Sequence, residues 1–554
     1  MERANMAVAR GYRGSPGAPN PGHTGRTIRI AVALALSVHA YVLYYAFHYG
    51  TLSGLLQWDD CAIVVRGLTN LDQLVTATSG SGLLRAALHL DIHSPLSDLQ
   101  TLIGLLLSGG QTWGPYVLNA TWVALVLAAV LRTYERRDAV LAATAVLFIL
   151  CQPLTVNALA DLKSDWEGGL LLAGALFVYT RGAQTARADL KLWGAVLLGL
   201  ATLSKLTAFY LPVVAAVAVL LYEWYAAVLE GRSIDRRLLV VRLLIAVGPF
   251  VLFFLAKLRP TIAYIRTATG SGWADGLSML GRAWFYGPYG PDSAMEWGTL
   301  HVSCALLVGA TLVVAWRRKD VVHPGALLVH GCVGAMLLAP LLVANSNHSF
   351  AATFLGVIVS ATLISVDYLA RSLAPRREWI VAALVVACIL PAGLPFKNSN
   401  YYSQFPVTSI ELRQIARTYG RIVDTMVAES RADAPHVIVF YDHVFAPHPN
   451  LSIEYFRKTG RLPSIDRVDD LADPRWKQGV TTADFVLTIV PNSTTAPVPN
   501  LYPTYPITKD PAAAESLVRA AGVFDPVGVF AVRGGEIHLY RNRGTGRSLL
   551  ERRP

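Results

Sequence analysis

The chain has 554 residues, 53% of them hydrophobic and only 15% charged, with a formal net charge of +11 and a mean hydropathy of +0.43. A soluble domain carries about 25% charged residues, so this composition excludes a disordered chain, a coiled coil, a disulfide scaffold and an ordinary cytosolic enzyme. The surplus of Lys and Arg admits a nucleic-acid partner or the orientation of spans in a bilayer, and the positions of those residues decide between the two.

Residues 1–26, rich in Gly, Pro and Arg, read as a disordered cytoplasmic leader. A helix crossing the hydrocarbon core needs about 20 mostly apolar residues. About eleven stretches meet that need, near 27–49, 114–131, 139–159, 165–181, 190–206, 208–225, 237–257, 299–316, 325–344, 350–370 and 379–395, with Pro153 and Pro340 interrupting two of them. The first could be a signal peptide with Ser37-Val38-His39-Ala40 as its cleavage site, but its apolar run continues through Tyr41 to Phe47, longer than an h-region, and an uncleaved span is expected. The stretch Pro95 to Leu107 has about half the needed length and reads as a re-entrant or interfacial helix.

With that stretch not crossing, the basic residues fall in every second gap. Arg3, Arg10, Arg13 and Arg26 precede the first span; Arg132, Arg136 and Arg137 follow the second; Arg181, Arg187 and Lys191 follow the fourth. Arg232, Arg236 and Arg237, then Arg317, Arg318 and Lys319, then Arg371, Arg376 and Arg377 continue the register. Short loops rich in Lys and Arg stay cytoplasmic, so the N-terminus is expected inside and the C-terminus outside, and nucleic acid is not an expected partner. The sequence predicts a polytopic α-helical membrane protein with residues 27–395 as its transmembrane part, external loops at about 50–113 and 258–298, and an extracytoplasmic α/β domain over 396–554. The Arg- and Ala-rich composition, with no retention signal, points to a bacterial inner membrane.

In the tail, Thr408 and Glu411 fit a capping box, and Leu412, Ile415, Tyr419, Ile422 and Met426 repeat as one helix face. Strands are predicted at 436–441, 485–490, 527–532 and 536–540, and a second helix opens at Asp510-Pro511 and stops at Gly522. The element order suggests a two- or three-layer sandwich. Asp442, His443 and His448 lack a metal-site spacing and read as a surface loop. Cys151, Cys304, Cys332 and Cys388 fall inside predicted spans and only Cys61 outside, so no disulfide framework is expected.

Charges at the outer ends of spans are functional candidates by default. Asp59-Asp60 follows the first span, and a carboxylate there can take a proton from a hydroxyl or hold a divalent cation. Asp161, Asp165 and Glu167 cluster between the third and fourth spans on the same side, which suggests a shared polar cavity; the alternative is a hydrated turn. Lys205, external and without an acidic neighbour, suits a lipid phosphate, or else snorkels to the interface. Lys257, Arg259 and Arg266 offer further phosphate partners by the same logic.

The order and sidedness of four elements resemble the type-C (GT-C) membrane glycosyltransferases, in the polyprenyl-phosphate-sugar-dependent branch of the protein O-mannosyltransferases and aminoarabinose transferases. These are Asp59-Asp60 after the first span, the His-x-Pro-Leu element of Asp91 to Leu96, Asp165 at the start of the fourth span, and Gly199 to Lys205 ending in a lysine. The likeness covers roughly the first 225 residues. Ser94 stands where the family has a proline, and Asn345-Ser346-Asn347-His348 where relatives carry an Arg-Tyr pair.

The resemblance implies that a sugar on a polyprenyl phosphate donor is attacked, outside the cytoplasm and with inversion, by a hydroxyl of a protein, lipid or glycan acceptor. It implies Asp59 or Asp60 as the catalytic base, with Asp59 slightly favoured, and Asp165 orienting acceptor or base or, with Asp161 as an accessory acid, helping to bind a metal. Lys205, His93, Lys257, Arg259 and His348 become the candidates for the donor phosphate. Trp273, Trp284, Tyr286, Tyr289 and Trp297 could stack on sugars or form an interfacial belt, in a loop whose glycines suit a moving lid. A transporter or flippase of envelope saccharides and a nonenzymatic membrane assembly protein are the competing expectations; against the first, the charges lie at one surface, not at the midplane.

Overall fold

The computed structural model describes residues 21–48, 51–54, 56, 58–87, 90, 94–135, 138–162, 164–204, 210–263, 298–341, 352–372, 409–430, 432–440, 448–468, 482–491, 511–532 and 535–544, without the side chains of some helical residues, Asp59 among them. In chain order the first part is helical: α1 (Pro21–His48), α2 (Trp58–Thr76), α3 (Gly80–Ala87), α4 (Pro95–Leu107), α5 (Gly114–Val117), α6 (Asn119–Leu131), α7 (Ala139–Leu150) and α8 (Pro153–Ala160). Then come α9 (Ser164–Gln184), α10 (Ala188–Ser204), α11 (Tyr210–Leu229), α12 (Arg236–Ala256), α13 (Gly298–Arg318), α14 (Val322–Leu341) and α15 (Ala352–Ser372). Each predicted span before 379–395 coincides with one of these helices or with a broken pair; the last predicted span lies outside the described residues.

Among the described residues five helices are long and apolar enough to cross a bilayer, and α7 with α8, bent by 57° at Pro153, makes a sixth. The bend follows from proline chemistry, since Pro153 has no N–H to continue the ladder of α7. The helix α9 fills the middle of the bundle: all of its 21 residues are buried, with α6, α10, α11 and α15 packed around it. Its neighbours are protein rather than lipid, which is why Gly, Thr and Arg are tolerated along it. Around it, α12 and α13 turn apolar side chains outward, with Leu252 73% and Leu306 69% exposed, as a lipid solvent requires of a multi-pass membrane protein.

The alternating register places the basic gaps at one end of the bundle. There Arg181 pairs with Asp367 at 3.1 Å, Arg371 joins Asp367 and Asp138 at 3.0 Å each, and Arg132 and Arg187 share Asp189. Lys191 and Arg242 both reach Glu223 at 2.7 Å. At the opposite end lie α2, α4 and the α8–α9 turn. The stretch Pro95 to Leu107 is the 13-residue helix α4, which buries Ser97, Asp98, Gln100 and Thr101 against its neighbours.

The tail builds a five-stranded sheet, β1 (His436–Val439), β2 (Ser464–Arg467), β3 (Phe485–Pro491), β4 (Phe524–Val532) and β5 (Gly535–Asn542), in the order β2-β1-β3-β5-β4. β1 is parallel to β2 and β3, whereas β5 is antiparallel to β3 and β4. α16 (Ser409–Glu429) and α17 (Pro449–Thr459) cover one face, over Val437, Val439, Leu487 and Leu539, while α18 (Pro511–Ala520) covers the other, over Ile438, Phe440 and Val486. This alternation makes three layers. The sequence pattern predicts four of the strands; the fifth, β2, is a largely exposed edge strand of sequence SIDR that has no apolar alternation to mark it.

Candidate active site

The acidic pair opens α2: Trp58, Asp59 and Asp60 are its first three residues, where an anion also complements the positive end of the helix dipole. Asp60 is only 5% exposed. The Tyr116 hydroxyl donates to its Oδ2 at 2.6 Å and the Leu162 backbone N–H to its Oδ1 at 3.2 Å. Tyr116 comes from α5 and Leu162 from the turn between α8 and α9, so one carboxylate ties three separate elements together. Hydrogen bonds to an ionised acceptor contribute about 1.5–3 kcal/mol each.

The same turn is held from the other side. Asn119, wholly buried at the start of α6, donates through Nδ2 to the carbonyls of Leu159 at 3.0 Å and Asp161 at 2.9 Å. Gln100 of α4 bonds the Asn119 side chain and in turn accepts from Trp122. Asp161 and Asp165 are both buried there, and Glu167, one turn into α9, accepts from Ser97 Oγ at 3.0 Å while its Oε1 has no partner among the described residues. Arg66 of α2 pairs with Asp98 at 3.0 Å and donates to Ser94 Oγ at 3.3 Å. The two acidic segments, 102 residues apart in sequence at the Asp60–Leu162 contact, therefore lie together.

Two further helix ends arrive at this place. A Cβ on Gly168 would stand 2.4 Å from Ser204 Oγ, so the residue before Lys205 lies against the first turns of α9. Gly169 and Gly356 lack side chains for a related reason: a Cβ on either would fall 2.3 Å from a backbone oxygen of the partner helix, Ala352 O or Gly169 O. The start of α15 is thereby pressed against α9 beside Asp165 and Glu167.

Lys205, His93 and His348, and the aromatic residues of 264–297, lie outside the described residues, as do Asp442 and His443. Lys257 is half-buried and Arg259 exposed at the far end of α12, and neither forms an ion pair with a described residue. Among the described residues no three His, Cys, Asp or Glu side chains are grouped closely enough to hold a metal ion. Sequence reasoning passed over Tyr116 and Asn119, although a lone Asn and a Tyr at the mouth of an apolar span are the kind of polar residue that intramembrane chemistry singles out. It also passed over Arg66, and took Glu167 only as a member of the acidic cluster.

The tail meets this end of the bundle directly. Ile453 of α17 shares a core with Leu56, Cys61, Leu68, Tyr116 and Leu162, and Asn450 donates to the Leu56 carbonyl at 2.7 Å.

No protein-family model matches the sequence, and no curated protein sequence does. Solved structures do match. ArnT from Cupriavidus metallidurans bound to undecaprenyl phosphate is similar at a TM-score of 0.53 and 14% identity, over 92% of this chain and 97% of that one. The apo state of the same protein gives 0.51 and 12%, over 94% and 98%. The archaeal oligosaccharyltransferase AglB from Archaeoglobus fulgidus, in complex with an inhibitory peptide and a dolichol-phosphate, gives 0.47 and 12%, over 84% and 69%. Across nearly its whole length, then, this chain shares the fold of ArnT, here a bundle of apolar helices followed by a small sheet unit.

Proposed function

We propose that the chain is an integral-membrane glycosyltransferase that moves a sugar from a polyprenyl-phosphate donor to an acceptor hydroxyl, at the bundle end that carries Asp59 and Asp60. The fold shared with a protein crystallised on undecaprenyl phosphate supports the donor class. The observation that carries the reading is the Asp60 latch: a buried carboxylate with donors from two other elements fixes the first turn of α2 where the α8–α9 turn, the end of α10 and the start of α15 meet.

Asp60 is the anchor in this reading, and its neighbour Asp59 is the base. The acceptor oxygen attacks the anomeric carbon as its proton passes to Asp59; the bond from that carbon to the donor phosphate oxygen breaks, and the polyprenyl phosphate leaves with the negative charge. In-line attack inverts the anomeric centre. Asp165, with Asp161 beside it, orients the acceptor, and Lys205 offsets the departing phosphate's charge, with His93, Lys257, Arg259 and His348 as further candidates. The Arg- and Ala-rich composition supports a bacterial inner membrane, and the basic register supports a cytoplasmic arginine-rich end, a transmembrane unit over 27–395 and an external unit over 396–554.

The test is turnover by the purified protein in nanodiscs, using a panel of radiolabelled undecaprenyl-phosphate-linked hexoses and pentoses with envelope membranes as acceptor. Asp59→Asn is expected to lose about 10²- to 10⁴-fold in kcat, the usual worth of a general base. If Asp59→Asn, Asp60→Asn and Lys205→Ala all turn over like wild type, the catalytic assignment is wrong; if wild type transfers no sugar from the panel, the transfer reading is wrong.

A further inference from the structure

We infer that the C-terminal unit is a working part of the catalytic site, with Asn450 of α17 as a positioning residue that sets the direction of the base at the start of α2. The inference rests on the glycosyl-transfer reading and adds to it a part of the chain to which that reading gives no task. Its ground is where α17 touches. Asn450 is 1% exposed and its Nδ2 donates at 2.7 Å to the carbonyl of Leu56, just ahead of the helix start at Trp58. Asp60, four residues after Leu56, is held by Tyr116 and Leu162. Asp59 stands between these two anchors in the chain.

The packing repeats the point. Ile453 is buried in the same core as Tyr116 and Leu162, the two residues that donate to Asp60. The Phe456 ring lies 3.2 Å from where a Cβ on Gly110 would be, in the turn after α4, and Gly110 has a φ of +84° that favours glycine there. Arg461 reaches Asp72 farther along α2 at 3.8 Å. α17 and the residues just after it thus touch the segment leading into α2, the farther part of α2 and the loop beside it. A side chain that only tethered a passenger domain would have no need to sit on the backbone carbonyl that leads into the acidic pair.

Positioning predicts a specific kinetic signature, because a misplacement of about 1 Å can cost about 10²-fold in rate without touching substrate affinity. Asn450→Leu keeps the branching and the number of side-chain heavy atoms and removes the donor. In the full-length protein in nanodiscs, with the undecaprenyl-phosphate-sugar panel as probe, kcat is expected to fall about 10- to 100-fold while the donor KM stays within about twofold. Phe456→Ala loosens the same helix without leaving a polar group unpaired, and should lower kcat in the same direction by a smaller factor. In an Asp59→Glu background, where the base is already displaced, Asn450→Leu should cost less than about twofold more, since residues that act through one group are not additive.

Asn450→Leu and Phe456→Ala both turning over within twofold of wild type overturns the inference. So does a loss that multiplies in full in the Asp59→Glu background, which marks general destabilisation. Wild type and Asp59→Asn separate the two ideas: if wild type turns over and Asp59→Asn is inactive while both α17 variants keep full rate, only this inference fails; if wild type turns over none of the panel, the transfer reading fails first.

Discussion

Tyr116→Phe is the cleanest perturbation of the Asp60 latch. Tyr116 is fully buried and its hydroxyl lies 2.6 Å from Asp60 Oδ2, so the substitution deletes one donor and leaves the packing of the ring unchanged. A hydrogen bond to an ionised acceptor contributes about 1.5–3 kcal/mol. At about 1.4 kcal/mol per tenfold, that shifts the balance between the latched and unlatched first turn of α2 by about 10- to 100-fold. The latch is not wholly lost, because the Leu162 N–H still donates to Oδ1 at 3.2 Å. The expected result is a fall in kcat of up to that factor in the nanodisc turnover assay, with the donor KM unchanged. In an Asp60→Asn background, where the ionised acceptor is already gone, the same substitution should cost less than about threefold. A folded Tyr116→Phe protein with wild-type kcat, or one whose loss lies entirely in KM, would show that the first turn of α2 does not need this bond.

Gly356→Val should lower the melting temperature of the protein in detergent, since the new side chain meets the backbone of Gly169 at the α9–α15 crossing; overpacking of this kind costs about 1–3 kcal/mol, and an unchanged melting curve would contradict the close approach. Asp367→Asn should destabilise by about 3–5 kcal/mol, because it leaves Arg181, 3% exposed, without its ionised partner; a melt against wild type reads this. Glu515 of α18 should make the tail acid-sensitive. Burial alone would raise its carboxyl pKa, but donors from Thr488, Tyr540, His538 and Arg519 outweigh burial and pull it down to about 2 from its ordinary 4.5. A depressed carboxylate pKa stabilises the fold above the unfolded value, and that contribution is lost as pH falls from about 4.5 towards about 2. Hydrogen exchange of α18 and β5 in the full chain, compared with Glu515→Gln at each pH, should show the difference between the two proteins shrink over that window; a difference that is constant with pH would refute it.

The bundle was legible in the sequence because a bilayer demands long apolar runs, and because the basic gaps recur at every second one. The acidic pair stood out as a candidate for a related reason: charge is rare at the ends of spans. Its fixation was not legible. Tyr116 is 56 residues from Asp60 and Leu162 contributes only a backbone N–H, which carries no side-chain signal at all. Asn450 lies 394 residues from Leu56, and one asparagine in the first turn of an amphipathic helix reads as nothing more than a helix start. β2 escaped because an exposed four-residue edge strand buries too little to need a pattern. Glu167 was seen as one acid among several, and only burial against Ser97 distinguishes it.

The ion pairs at the arginine-rich end have a consequence for how the chain is assembled. Asp138 and Arg371 are 233 residues apart, and Asp367 answers Arg181 across a similar stretch of chain. During synthesis Asp138 and Arg181 are therefore made long before their partners, and they face water or headgroups alone until α15 arrives. Until then Arg181 lacks Asp367, whereas Arg132 and Arg187 already have Asp189 within reach. α15 carries both Asp367 and Arg371, packs against α9 through Gly356, and supplies the partners of Arg181 and Asp138. A chain stopped before residue 352 would thus present a cell with two stranded charges and an exposed glycine face, a ready mark for the quality-control proteases that clear unfinished membrane proteins.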